Sequence, residues 1–191
     1  MEATSRQKAT WGLLAVTFAW GATFIWMKQA MNAIQPEIEA YGRIPVVAIL
    51  VGARFTIAFV ALILISQEAR KALFDQELWK GGAILGGILL PGFIIQMIGL
   101  DSINPSTSAF LTSLYVVFTA LITTKITGQR VTRTMILGVA LATFGAGFIE
   151  GPPHLSWGLG EILTVICAFF FALHILFTPV SYTHLRAHET R

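Results

Sequence analysis

The fold class this sequence predicts is all-α, a polytopic bundle of membrane-spanning helices, and three observations predict it. Hydrophobic residues fill 55% of its 191 positions and charged residues only 12%, against about 25% charge in a soluble domain. Mean hydropathy is +0.72, so a folded chain would turn large apolar patches toward water, and its solvent must be lipid. Apolar runs near the ~20 residues that cross a hydrocarbon core recur at residues 10–30, 45–66, 79–100, 106–124, 134–149 and 157–179.

The first run follows Arg6 and Lys8. A cleaved signal peptide is the alternative, but the run is long for one and no clear small-residue cleavage site follows it, so a retained helix is the better reading. Gln35-Pro36 and Ile44-Pro45 break the connection to the second run. Between the second and third runs, residues 67–78 read as a small interfacial helix or a loop. Pro91 is expected to kink the third run, because it removes a hydrogen bond and crowds the preceding turn. Asn104-Pro105 opens the fourth run, and Gly151-Pro152-Pro153 precedes the sixth. Trp11 and Trp26 are about 22 Å apart along a helix, and Trp79 and Trp157 open runs, which is the placement of interfacial tryptophans.

Charge orients these runs. With the N-terminus inside, the inner segments hold Arg6, Lys8, Arg70, Lys71, Lys80, Lys125, Arg130 and Arg133, and the outer ones only Lys28 and Arg43. This positive-inside bias places the N-terminus in the cytoplasm and the protein in the cell (inner or plasma) membrane. The net charge of +3 does not point to nucleic acid, because the basic residues lie between apolar runs rather than on one face. The one cysteine, Cys167, sits inside an apolar run and reads as a small buried hydrophobe.

Small residues recur at four-residue spacing in Gly82, Ala83, Gly86 and Gly87, and again in Gly138, Ala142 and Ala146. In lipid such rows let helix backbones meet closely, so helix contacts are expected there. A faint internal repeat links Leu14…Trp20-Gly21…Phe24-Ile25-Trp26 with Val165…Phe171-Ala172…Ile175-Leu176-Phe177, an offset of 151 residues. Five spans fit in that offset, and an odd number inverts the second copy.

Several segments resemble a known family. They are Trp20-Gly21-Ala22-Thr23-Phe24, Ala53-Arg54-Phe55, the stretch 102–118, Thr127-Gly128-Gln129-Arg130, Gly138-Val139-Ala140-Leu141 and Gly160-Glu161-Ile162-Leu163 followed by residues 167–174. In order and spacing this chain is similar to the EamA-like members of the drug/metabolite transporter superfamily. One departure is Gln129, where the family pattern has Glu after the glycine. The resemblance implies ten spans in two inverted five-span repeats, a central cavity, and movement of small metabolites, with export the expected direction. Residues 1–150 then form the first repeat and residues 151–179 the first helix of a second, truncated one. Residues 180–191, which carry His184 and His188, resemble a translated sequencing adapter and are expected to be non-native, without packing against the bundle.

Function is expected from polar groups held mid-membrane. Arg54 lies well inside the second span, where a charge is costly and must face the bundle interior or a wet cavity. Trp20 and Thr23 share one face of the first span, a wall suited to amphipathic solutes. Gln96 and Tyr115 need partners at membrane depth. These five form the expected solute cavity. Glu161 is expected at an interface and His174 as a satisfied interior histidine. No catalytic constellation, metal cluster, cofactor motif or phosphate loop occurs, which excludes an enzyme reading. The expected function is transport of a metabolite or drug-like solute by alternating access. Its partners are the lipid bilayer and the solute, with a coupling proton or ion and a homodimer both compatible. The competing reading is a non-transporting membrane subunit that assembles through its Gly/Ala helix faces.

Overall fold

The computed structural model describes residues 2–127, 132–146 and 158–189. Gly128–Arg130, Ile149, Gly151-Pro152-Pro153 and Trp157, on which some of the expectations rest, lie outside the described residues. The described residues form helices α1 (Glu2–Ala33), α2 (Gln35–Tyr41), α3 (Arg43–Ile65), α4 (Gln67–Ala72), α5 (Gln76–Ser102), α6 (Pro105–Ser113), α7 (Tyr115–Thr127), α8 (Arg133–Ala146) and α9 (Leu159–Glu189). Among the described residues, five stretches are long and apolar enough to cross a membrane: Ala9–Ala33, Arg43–Ile65, Gln76–Ser102, Pro105–Ile126 and Leu159–Pro179. Only 11% to 28% of each is buried within the chain. With so much apolar helix surface uncovered, lipid or further protein must cover it.

One expected span takes a different form: the fourth breaks at Leu114 into α6 and α7. Of the fifth, expected over 134–149, the described part is helical as α8, and residues 147–149 lie outside the described residues. Caps follow local chemistry. Ser66 Oγ accepts from Ala69 N at the start of α4, and Asp75 Oδ1 accepts from Glu77 N and Leu78 N at the start of α5. The 67–78 segment is therefore helical in its first half. Gly42, at φ +90°, joins α2 to α3 in a conformation that disfavours side chains.

The bundle is organised on α5, which packs chiefly against α9 and also against α3 and α1, while α9 reaches α6 and α7. Gly160, Thr164, Ala168 and Ala172 recur every fourth residue along α9 and are all buried. They meet a face of α5 that buries Gly92, Gln96 and Gly99. The approach is close. A Cβ at Gly99 would lie 2.8 Å from the Gly160 carbonyl oxygen and 2.9 Å from Thr164 Oγ1. In the small-residue rows Gly82, Gly86, Gly87 and Gly138 face nothing within 4 Å, against the close helix contacts expected there. The Ala168 and Ala172 face of α9 is fully covered. Cys167 is buried beside it, as expected.

A second core cluster joins Phe24, Met27 and Met31 of α1 to Ile38 of α2, Val47 and Val51 of α3, and Met97 and Leu100 of α5. Next to it, polar groups tie one end of the bundle together. Lys28 Nζ donates to the carbonyl oxygens of Leu100 and Asp101 at 2.7 Å each and of Ile103 at 3.1 Å. A cation thus covers the carbonyls at the negative end of the α5 dipole. Asp101 in turn accepts from Gln35 Nε2 at 2.7 Å and pairs with Arg43 at 2.9 Å. The sequence offered Lys28 and Arg43 only as outer-segment charges; their convergence on one helix end required the fold.

The sixth apolar run, expected to end at Pro179, continues as helix to Glu189. The side chains of residues 180–191 lie outside the described set, so the packing expectation for that tail is not addressed.

Candidate solute cleft

A cleft of about 260 Å³ opens between α1, α3 and α5. Helix α1 contributes Thr23, Trp26, Met27 and Ala30, α3 contributes Leu50, Val51 and Arg54, and α5 contributes Met97. The spacing of 23, 26, 27 and 30, and of 50, 51 and 54, is that of single helix faces. Trp26 therefore belongs to the cleft wall, not only to an interfacial belt.

Arg54 is the twelfth of the 23 residues of α3, at the middle of that span. Its Nη1 donates to Met27 Sδ at 3.1 Å, and its guanidinium carbon stands 5.1 Å from the centre of the Phe93 ring. Phe93 is held by Phe55 and Phe171 at 5.2 and 5.1 Å between ring centres. These are weak partners for a cation at this depth. Mid-helix arginine costs roughly 2.5–3.5 kcal/mol on insertion scales. A cation–π contact returns about 0.5–2 kcal/mol, and a thioether is a poor acceptor. The balance is unfavourable within the chain alone.

The expected cavity residues do not all converge. Thr23 and Arg54 line the cleft, and Thr23 Oγ1 donates to the Trp20 carbonyl oxygen at 2.6 Å. Trp20 lies off the lining and is 52% exposed. Gln96 is buried to 1% exposure and donates to Thr112 Oγ1 at 2.9 Å. That bond ties α5 to α6 and satisfies a polar group at membrane depth, so Gln96 is a packing residue here. Tyr115 begins α7 at the Leu114 break, half-buried and away from the cleft. Among the residues missed, Met97 carried no signal beyond its place one residue after Gln96.

The remaining polar groups have local roles. Glu161 Oε2 accepts from Gly158 N at the start of α9, and His174 Nδ1 lies 3.2 Å from the Leu85 carbonyl oxygen. The His174 contact is that of the satisfied interior histidine expected there. Among the described residues no group of three or more His, Cys, Asp or Glu is placed to hold a metal.

The model of the EamA-like transporter family matches residues 7–150. This chain belongs to that family. The match covers α1 to α8, including every helix that lines the cleft. An uncharacterized transporter of Archaeoglobus fulgidus is 28% identical over 179 aligned positions, which cover 91% of this chain and 50% of that protein. The chain thus spans about half the length of the curated relative it matches. No solved structure gives a significant match. The EamA-like transporters are membrane proteins and not enzymes.

Proposed function

We propose that this EamA-like chain forms one side of a secondary transporter that moves a small solute by alternating access, with export the direction. The observation that carries the reading is Arg54. A mid-span cation lines an open cleft on the family-matched helices and lacks a strong partner there. Intramembrane charges of this kind mark solute and ion pathways. On this reading residues 1–150 are one inverted repeat and α9 opens the second, so the cleft is completed by a second repeat or a second copy. The positive-inside bias orients the N-terminus to the cytoplasm.

The test is side-specific labelling of the full-length protein in sealed vesicles. Cysteines at Thr23 and Leu50, both on the cleft wall and part-exposed, are expected to react with a membrane-impermeant maleimide, the accessible side changing between conformations. Cys167 is fully buried and adds no background. A cysteine at Phe18, 83% exposed and off the cleft, faces lipid and serves as control. Labelling at the cleft no faster than at Phe18 would refute the reading.

One observation favours the second reading, assembly without transport. Gly82, Gly86 and Gly138 stand open on helix surfaces, where a partner's backbone fits. Under that reading the cleft residues stay unlabelled from both sides.

A further inference from the structure

The charged groups of this chain divide sharply by what answers them. Lys28 has three carbonyl oxygens. Arg43 has the Asp101 carboxylate, Arg70 has the carbonyls of Ile63 and Leu64, and Lys80 has Glu77. Lys71, Lys125 and Arg133 stand at helix ends, where water or headgroups reach them. Arg54 alone among the described cations lies mid-span, and neither of its two partners is an oxygen. A thioether sulfur accepts weakly, and a ring face attracts a cation without neutralising it. Most of the five guanidinium N–H donors therefore point to an acceptor that this wall does not supply.

Nor does the rest of the cleft supply it. The lining holds no acidic residue. The Thr23 hydroxyl donates to the Trp20 carbonyl and keeps lone pairs that can accept, but it is uncharged and cannot neutralise the guanidinium. Everything else on the wall is apolar or aromatic, with Trp26, Leu50, Val51 and Met97 giving it its character. One fixed positive charge in a low-dielectric, apolar surround favours one negative charge; a dianion would leave a net charge unanswered, and a cation would be repelled. A guanidinium fork matches a carboxylate in two parallel hydrogen bonds. The volume against this wall is about 260 Å³, before a second repeat or copy closes its open side.

We infer that the solute of this cleft is a small monocarboxylate with an apolar body, and that Arg54 is the residue that selects its charge. This rests on the transport reading above and goes further by naming the substrate class. The carboxylate sits against the guanidinium, taking the place that a protein counter-ion fills for Arg43. The apolar body lies along Trp26, Leu50 and Met97.

The test uses three probes with one carbon skeleton and charges of −1, 0 and +1: phenylacetate, phenylacetamide and 2-phenylethylamine. Binding to the full-length protein in nanodiscs is read by titration calorimetry. Phenylacetate is expected to bind at least tenfold more tightly than the amide, with no detectable binding of the amine. Phenyl phosphate, with more than one charge, should bind more weakly than phenylacetate. Arg54→Gln should abolish the preference of acid over amide, and Arg54→Lys should keep part of it. Equal binding of acid and amide, preference for the amine, or an unchanged preference in Arg54→Gln would overturn the inference. If Arg54→Gln does not elute as a monodisperse species, the comparison of the three probes on the unmodified protein still decides. Failure here is distinct from failure of the transport reading. A cleft that labels with maleimide but prefers neutral or cationic probes sinks the carboxylate and leaves transport standing; a cleft that never labels sinks transport itself.

Discussion

Replacing Gly99 by alanine tests the central contact of the fold, the crossing of α5 and α9. Helical Gly→Ala is ordinarily favourable by about 0.5–1 kcal/mol, since alanine orders less chain entropy. At this position the sign reverses. The new methyl would stand 2.8 Å from the Gly160 carbonyl oxygen, 2.9 Å from Thr164 Oγ1 and 3.3 Å from Leu163 Cβ. Two of these three neighbours are close-in atoms of the helix α9 that cannot swing away, and Thr164 Oγ1 is held by its bond to the Gly160 carbonyl. Moving from 2.8 Å to an ordinary 3.4 Å needs a separation of about 0.6 Å along the whole crossing, and overpacking of that order costs about 1–3 kcal/mol. Gly160→Ala meets the reciprocal obstruction, with Ser102 Oγ, Ile103 Cγ2 and the Gly99 carbonyl around the added atom. Because both methyls force the same displacement, the double variant should cost less than the two single costs together. Gly86→Ala and Gly138→Ala, which meet nothing within 4 Å, serve as references and should be neutral or slightly stabilising. The assay is the thermal midpoint of the detergent-solubilised chain, followed by fluorescence-detected size exclusion. Gly99→Ala no less stable than Gly86→Ala would show that the crossing is not this close, and the reasoning fails.

Further expectations address the polar end and the orientation. Lys28→Met removes three charge-assisted bonds from the α5 carbonyls and should destabilise by about 1.5–3 kcal/mol, measured by the same midpoint. Asp101→Asn keeps an acceptor for Gln35 but loses the charge opposite the half-exposed Arg43; the cost should stay near 1 kcal/mol or below and shrink in high salt. Gly42→Ala forces a side chain to φ 90°, ψ 152°, a region essentially confined to glycine, and should cost about 1–3 kcal/mol, with Gly42→Asn no milder. Reporter fusions at Gln76 and Gln129 should read cytoplasmic and those at Ile103 and Pro153 external; the reverse pattern would overturn the inside-N assignment.

The sequence by itself determined the fold class, five of the spans and the family. Composition sets the solvent, and in lipid every backbone polar group must be satisfied within its own segment, so apolar runs near 20 residues become helices wherever they occur. The order of short elements such as Trp20-Gly21-Ala22-Thr23-Phe24 and Ala53-Arg54-Phe55 carried the family likeness. Arg54 was legible because its cost at mid-span depends on depth alone. Which faces meet was decided by tertiary structure. Gly82 and Gly86 bear the same four-residue spacing as Gly160, Thr164, Ala168 and Ala172, yet among the described residues the first two stand open and the second row is buried. Within lipid there is no hydrophobic drive to distinguish two equally apolar faces, so small-residue spacing states that a helix can be approached closely and not which helix approaches. The same limit explains the cavity. Depth along each helix placed Trp20, Thr23, Arg54, Gln96 and Tyr115 in the membrane, but rotation about the helix axes joined only Thr23 and Arg54 in the cleft. It turned Gln96 to Thr112 and brought Trp26 and Met97 to the wall.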